Sequence, residues 1–213
     1  MTTIGRSIVE LNKRYSSKDV EITKTEVVYQ GFFRMEKLHL RHKTFAGEWT
    51  SVFTREMFER GEAVCVLLFD PHADTVVLTE QFRPGALADE HSPWLLELVA
   101  GMVEDGETYE DVARRESIEE ANCEINELIH ICRYWVSPGG TSERVQLYCA
   151  LTDSSKLGGI YGLAEEHEDI RVHVVPSTEA FSLMQDGIIN NAAIIIALQW
   201  LQLNKERLRA PNP

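Results

Sequence analysis

The run Gly101–Cys123, GMVEDGETYEDVARRESIEEANC, decides how the rest of the chain is read. Between Glu104 and Glu127 the chain carries ten acidic residues against Arg114 and Arg115 alone, a local net charge of −8. Like charges at neighbouring helix positions repel, and a buried carboxylate is costly unless a cation compensates it. The pattern predicts a helix over Tyr109–Ala121. Thr108 is placed to cap it, with Asp111 three residues on to complete a capping box. At 3.6 residues per turn, Glu116, Glu119 and Glu120 share an arc of roughly 100°, and Glu116 and Glu120 lie one turn apart. Tyr109, Ala113, Ser117 and Ala121 form a neighbouring stripe of mostly small side chains, which lets the helix lie close to a sheet. Carboxylates beside such a stripe line a cleft, and oxygen ligands of this kind suit Mg²⁺ or Mn²⁺. A solvated acidic helix face has the same composition, so spacing has to separate the two readings.

The bulk numbers narrow the setting. A chain of 213 residues holds one large domain or two small ones, and 44% hydrophobic with 26% charged residues is ordinary for a globular protein. A net charge of −13 argues against nucleic acid or an anionic membrane as the main partner. Cys65, Cys123, Cys132 and Cys149 include no CxxC pair and no His-rich companion, so they read as reduced, mostly buried thiols rather than a zinc site. The opening MTTIGRSIVE lacks a long apolar run, so no secretory signal is expected and the expected location is cytoplasmic. The apolar stretch Ala192–Leu198 is too short to span a bilayer.

Outward from the central run, residues 1–60 contain VEITKTEVVYQ, FFRMEKLHLRHK and EWTSVFTRE, which predict two or three antiparallel strands around Gly31 and Gly47. A break is expected over Glu56–Gly61. Ala63–Phe69 (AVCVLLF) reads as a central strand, Asp70–Asp74 as a turn and Thr75–Phe82 as the returning strand. The turn lacks the glycine and glutamate spacing of a calcium loop. Trp94–Val99 reads as one strand feeding Gly101. Further strands are expected at Ile129–Val136, Val145–Leu151 and Arg171–Val175, with a glycine-rich loop before the acidic segment Glu165–Asp169. Two helices close the chain, from about Ser177 to Gly187 and from about Asn191 to Glu206.

Gly101, Glu107, Arg115-Glu116 and Glu119-Glu120 match the Nudix box, GX5EX7REUXEEXGU, where U is a bulky aliphatic residue. The chain therefore resembles the Nudix hydrolases. Ser117 stands where the pattern has an aliphatic residue, Asn122 where it has glycine, and Cys123 at the last aliphatic position. Asn is the usual second choice for a left-handed helix end, so the turn should survive. The resemblance implies an α+β fold: an α/β/α sandwich with a mixed sheet over residues 61–213. A small antiparallel β segment over residues 1–60 would precede it. It also implies hydrolysis of a nucleoside diphosphate linked to a second group.

Pro138, in SPGGTSER, lies fifteen residues beyond the box. With QFRPG, LAEEHEDIRVHVV and NNAAIIIALQWLQL, it makes the chain most similar to the bacterial ADP-ribose pyrophosphatase subgroup. That resemblance implies two or more Mg²⁺ ions, with Mn²⁺ as a substitute. Glu116, Glu119, Glu120 and Glu168 with the Ala100 carbonyl would be ligands, and Glu166 the catalytic base on a mobile loop hinged by Gly158–Gly162. Arg83 and Arg55 would bind the diphosphate or adjoining ribose, and Phe32 and Phe33 would stack on adenine. Met102 would contact substrate through its backbone, while Ser137, Pro138, Gly139 and Glu143 would shape the terminal-ribose site. Arg115 would pair with Glu107 as a structural contact. The implied assembly is a homodimer with exchanged N-terminal strands and shared active sites, Arg55 coming from the partner. Related activities on GDP-mannose or ADP-glucose, and a non-catalytic ADP-ribose sensor, are the alternatives.

Overall fold

The computed structural model of this chain describes residues 15–125 and 127–209; positions 1–14 of the N-terminal segment expected above, with 126 and 210–213, lie outside the described residues. The chain divides into two compact units, with the boundary after Arg60.

The first unit is a three-stranded antiparallel sheet, β1 (Val20–Gln30), β2 (Arg34–His42) and β3 (Phe53–Glu59), in the order β1-β2-β3. Strand β3 runs on to Glu59, so the break expected over Glu56–Gly61 is confined to its last two residues. Phe33 packs edge-on against Phe58 at 5.2 Å between ring centres, and the Arg60 guanidinium lies 4.7 Å over the Phe33 ring.

The second unit is a mixed sheet with helices on both faces. Its strands are β4 (Glu62–Asp70), β5 (Thr75–Phe82), β6 (Trp94–Glu97), β7 (Val99–Met102), β8 (Leu128–Trp135), β9 (Arg144–Leu151), β10 (Gly159–Tyr161) and β11 (Ile170–Pro176). The main path is β10-β11-β5-β4-β9-β8, with β4 and β9 parallel and the other pairs antiparallel. The helices are α1 (Tyr109–Ala121), α2 (Ser177–Gln185) and α3 (Ala192–Arg209). Strand β4 shows why the sheet is covered twice. Val64, Val66 and Leu68 pack with Val112, Ala113 and Ala121 of α1, while Cys65, Leu67 and Phe69 pack with Ala180 of α2 and Ile194, Ala197, Leu198 and Leu201 of α3. Period-two alternation with both sides apolar is what a strand buried on both faces requires. Among the described residues no helix is long and apolar enough to cross a membrane. The four cysteines are free; Cys65, Cys123 and Cys149 are buried, and Cys132 is half-buried.

Two expectations need correction. The single strand read over Trp94–Val99 is two short strands: β6 pairs with β5 and β7 with β4. Strands β4 and β5 pair directly only over Leu68–Asp70 against Thr75–Val77, and the segment 94–102 pairs with their other halves. The chain must change partners near Leu98, and an apolar run carries no mark of that switch. The glycine-rich stretch is not all loop either. Gly159–Tyr161 pairs with Ile170–Val172 as the short edge strand β10.

Candidate active site

Helix α1 carries the site, and its ends are tightly specified. The Thr108 hydroxyl accepts the Asp111 amide at 3.2 Å, and the Asp111 carboxylate accepts the Thr108 amide at 3.1 Å. At the other end Asn122 takes the left-handed conformation, φ 49 and ψ 40, as the Asn-for-Gly exchange predicts. Ser117 is fully buried, and its hydroxyl donates to the Ala113 carbonyl at 2.7 Å. The polar atom is thereby satisfied where the pattern prefers an aliphatic side chain.

The box residues do three different jobs. Arg115 Nε and Nη2 donate to the two carboxylate oxygens of Glu107, at 2.9 and 3.1 Å. This bidentate pair joins the loop before α1 to the helix, and it holds the Glu107 carboxyl below its usual range. Arg115 Nη1 also reaches Glu116 at 2.7 Å and Glu119 at 3.3 Å. Glu120 is only 1% exposed, and its Oε2 accepts the Ala100 amide at 3.0 Å. Burial pushes the Glu120 carboxyl up to about 8 and Glu116 up to about 7, and Glu116 and Glu168 repel Glu120 further.

Gly101 explains how Glu116 fits. A β-carbon at this position would meet Glu116 Oε1 at 1.8 Å and its carboxyl carbon at 2.2 Å. The glycine of the box is therefore needed for close approach between strand β7 and the helix. A second glycine serves Glu168. Gly162 has φ +105, and a β-carbon there would meet Glu168 Cβ at 2.7 Å. The Glu168 amide donates to the Leu163 carbonyl at 3.1 Å, and the Leu163 amide reaches the Glu168 carboxylate at 3.3 Å.

The structure brings Glu116, Glu120 and Glu168 within electrostatic reach of one another. Among the described residues no three His, Cys, Asp or Glu side chains are grouped closely enough to hold a metal ion outright. Glu116 is turned to Arg115 and Glu120 to the Ala100 amide. The donor set nevertheless fits a divalent cation: the ligands are hard oxygens, Glu120 is nearly fully buried, and burial disfavours the anionic form of both Glu116 and Glu120. Glu166 closes a short 3-10 turn, Ala164–Glu166, before His167 in the left-handed conformation; the Glu166 side chain lies outside the described atoms.

The other predicted positions are spread over both units. Arg83 follows β5, and its Nε donates to Glu97 Oε2 at 2.7 Å. Met102 ends β7, and its carbonyl accepts Arg115 Nη2 at 3.5 Å. Ser137, Pro138 and Gly139 are exposed in a turn closed by the Gly140 and Thr141 amides on the Ser137 carbonyl, at 3.1 and 3.0 Å. The Glu143 carbonyl accepts the Val136 amide at 3.1 Å. Phe32 is 87% exposed beside Phe33, and the Arg55 guanidinium lies 4.7 Å over Phe53, all within the first unit. A cavity of about 220 Å³ lies in the second unit, lined by Glu80, Trp94, Ile160, Asp169 and Arg171. Sequence reasoning missed Glu97 as the partner of Arg83 and the Gly162 cradle under Glu168. WLLE reads only as a strand, and a lone glycine in a glycine-rich run does not stand out.

The NUDIX domain matches residues 59–198. The chain is 47% identical over 200 residues to the ADP-ribose pyrophosphatase of Haemophilus influenzae, covering 92% of each chain. It is 48% identical over 195 residues to that of Escherichia coli K12, covering 92% of this chain and 93% of the relative. A GDP-mannose pyrophosphatase of Cronobacter sakazakii is 30% identical over 188 residues, covering 88% and 97%. A solved structure described as an ADP compounds hydrolase superposes with a TM-score of 0.67 at 22% identity, covering 92% of this chain and all of that one, which bears on the fold alone. Helix, loop and flanking strands all fall inside the matched domain with every charged box position in place, and this chain belongs to the Nudix family.

Proposed function

We propose that this chain hydrolyses the diphosphate of ADP-ribose to AMP and ribose 5-phosphate and depends on Mg²⁺. The observation that carries the reading is half-buried Glu116 one turn from buried Glu120 on a Nudix-box helix, in a chain nearly half identical to curated ADP-ribose pyrophosphatases. Glu116, Glu119, Glu120 and Glu168, with the Ala100 carbonyl, would hold two or more Mg²⁺ ions, and Mn²⁺ would substitute. Bound there, the ions would neutralise the diphosphate and acidify the attacking water. Glu166 would accept the proton of that water at its carboxylate. Arg83, steadied by Glu97, would pair with a phosphate oxygen. Met102 would meet the substrate through its backbone, and Ser137, Pro138, Gly139 and Glu143 would border the terminal ribose.

Phe32, Phe33 and Arg55 belong to the first unit, and we assign them the adenine and the adjoining ribose. We further propose a homodimer in which residues 1–60 exchange between protomers so that each site is shared. Strand β1 supports this reading, because it leaves Val20, Ile22, Val27, Val28 and Tyr29 exposed, a poor arrangement for a free surface. Light scattering at twice the protomer mass is the expected result, and a monomer at micromolar concentration would remove the exchange. The unpaired cysteines support a cytoplasmic location.

A second activity, on GDP-mannose, is favoured only by the more distant Cronobacter sakazakii relative. A binding-only role is disfavoured by the intact box carboxylates. Turnover of ADP-ribose, ADP-glucose and GDP-mannose, with and without Mg²⁺, tests the choice. ADP-ribose should be the preferred substrate and activity should vanish in chelator; a clear preference for GDP-mannose would overturn the assignment.

A further inference from the structure

Glu62 opens β4, and its one carboxylate is shared by side chains from three other elements. The hydroxyl of Tyr109, the first residue of α1, donates to Oε2. Arg133 of β8 donates through Nη2 to Oε1. Arg144 of β9 brings its own Nη2 to 2.6 Å from the same oxygen. The cations are further braced by aromatic faces: Arg133 lies 5.4 Å over the Tyr109 ring and Arg144 lies 4.6 Å over Trp135. The backbone converges at the same place. The Glu62 carbonyl accepts the Val103 amide at 2.9 Å, and the Arg144 amide donates to the Gly61 carbonyl at 3.4 Å.

These contacts have one geometric consequence. Tyr109 begins the helix that carries Glu116 and Glu120, while Arg133 and Arg144 flank the turn that contains Ser137–Glu143. Within the turn, the Gly140 and Thr141 amides bond to Ser137, the Val136 amide to Glu143, and the Glu143 amide to the Thr141 hydroxyl. Those bonds shape the turn locally, whereas the two arginines tie both of its ends to the start of α1 through one anion. The Tyr109 hydroxyl and the two guanidinium groups keep the Glu62 carboxyl below its ordinary range, so it is charged at neutral pH.

We propose that Glu62 is a positioning residue that sets the Ser137–Glu143 turn in register with helix α1. The inference rests on the site described under Proposed function, in which α1 faces the diphosphate and the turn borders the terminal ribose. Without the shared anion, Arg133 and Arg144 lose their common anchor and repel each other. The turn then departs from α1, and substrate is held less well in both ground and transition states. Such a change raises KM and leaves kcat nearly alone.

Glu62→Gln tests this, because the amide keeps the shape and removes the charge. Steady-state turnover of ADP-ribose at saturating Mg²⁺ should show KM raised about five- to tenfold with kcat within about twofold. Amide hydrogen exchange of the protein without substrate should speed up over 136–143 and stay unchanged over β2 and α3. In the double variant Glu62→Gln/Arg144→Gln, KM should be no higher than in Glu62→Gln alone, since Arg144 is tied to α1 through that carboxylate. Tyr109→Phe, which removes only a hydroxyl, should shift KM in the same direction by less and guards against misfolding of the first variant. An unchanged KM with a lowered melting temperature, or additive effects in the double variant, would overturn the proposal. Absence of wild-type turnover on ADP-ribose would instead count against the activity, and the exchange comparison would still decide the role of Glu62.

Discussion

Gly101 sits directly against Glu116: a β-carbon on Gly101 would approach the Glu116 carboxylate oxygen to 1.8 Å. The Glu116 carboxylate is bonded to Arg115 at 2.7 Å, and making room for a β-carbon would break that contact. Gly101→Ala should therefore displace the carboxylate rather than merely crowd it. We expect kcat/KM to fall by roughly two orders of magnitude, about 2.7 kcal/mol of transition-state stabilisation. The Mg²⁺ concentration for half-maximal rate should rise as well. A variant with near-normal Mg²⁺ titration would show that Glu116 is not the group displaced.

Glu166→Gln isolates the proposed base. The residue lies on the turn before Glu168, away from the box helix in sequence. Turnover should drop by about 10²–10⁴-fold, the usual contribution of general base catalysis, while Mg²⁺ binding persists. Calorimetric Mg²⁺ titration alongside the kinetics checks both halves. Normal turnover would remove Glu166 from that role.

Glu120→Gln addresses the metal directly. Its carboxylate is buried, and the Ala100 amide is the hydrogen-bond donor that meets it. Substitution should raise the Mg²⁺ requirement at least about tenfold, since a ligand lost from a small hard-cation site is not readily replaced. In chelator at pH 7 the same substitution should raise the melting temperature slightly, because the buried carboxyl has to take up a proton on folding and an amide does not. An unchanged Mg²⁺ titration would exclude Glu120 as a ligand.

Asp74 anchors the far end of the second unit and gives a pH-dependent stability test away from the site. It has φ 58 in the β4–β5 turn and accepts from Ser177 at 2.8 Å and Lys205 at 3.0 Å. Burial raises its carboxyl, but Ser177, Lys205 and Arg209 outweigh that and leave it below the ordinary 3.8. A carboxyl depressed by folding stabilises above its unfolded pKa, and that contribution is lost as pH falls through the lower folded value. Asp74→Asn keeps a residue that tolerates positive φ and should cost about 1–2 kcal/mol at pH 7. The gap from wild type should narrow below pH 3.8 in denaturant melts. A gap that is constant with pH would mean that the charge contributes nothing.

Much of the site was legible in the order of residues. Periodicity and the Thr108–Asp111 pair placed α1 at Tyr109–Ala121, and spacing alone put Glu116, Glu119 and Glu120 on one arc. The Asn122 turn followed from side-chain preference. These features depend on residues within a turn or two of one another, where local backbone geometry leaves few options.

Only the tertiary structure decided how the pieces meet. The switch from β6 to β7 puts Ala100 and Gly101 beside α1, although Trp94–Val99 reads as one strand feeding Gly101. The Arg83–Glu97 pair, fourteen residues apart, and the Glu62 contacts to Tyr109, Arg133 and Arg144 leave no periodic trace. Gly101–Cys123 thus specified its own helix and its chemistry by itself. Whether those carboxylates would be buried, and against what, depended on strands packed around them from elsewhere in the chain, because burial and charge pairing are set by neighbours in space.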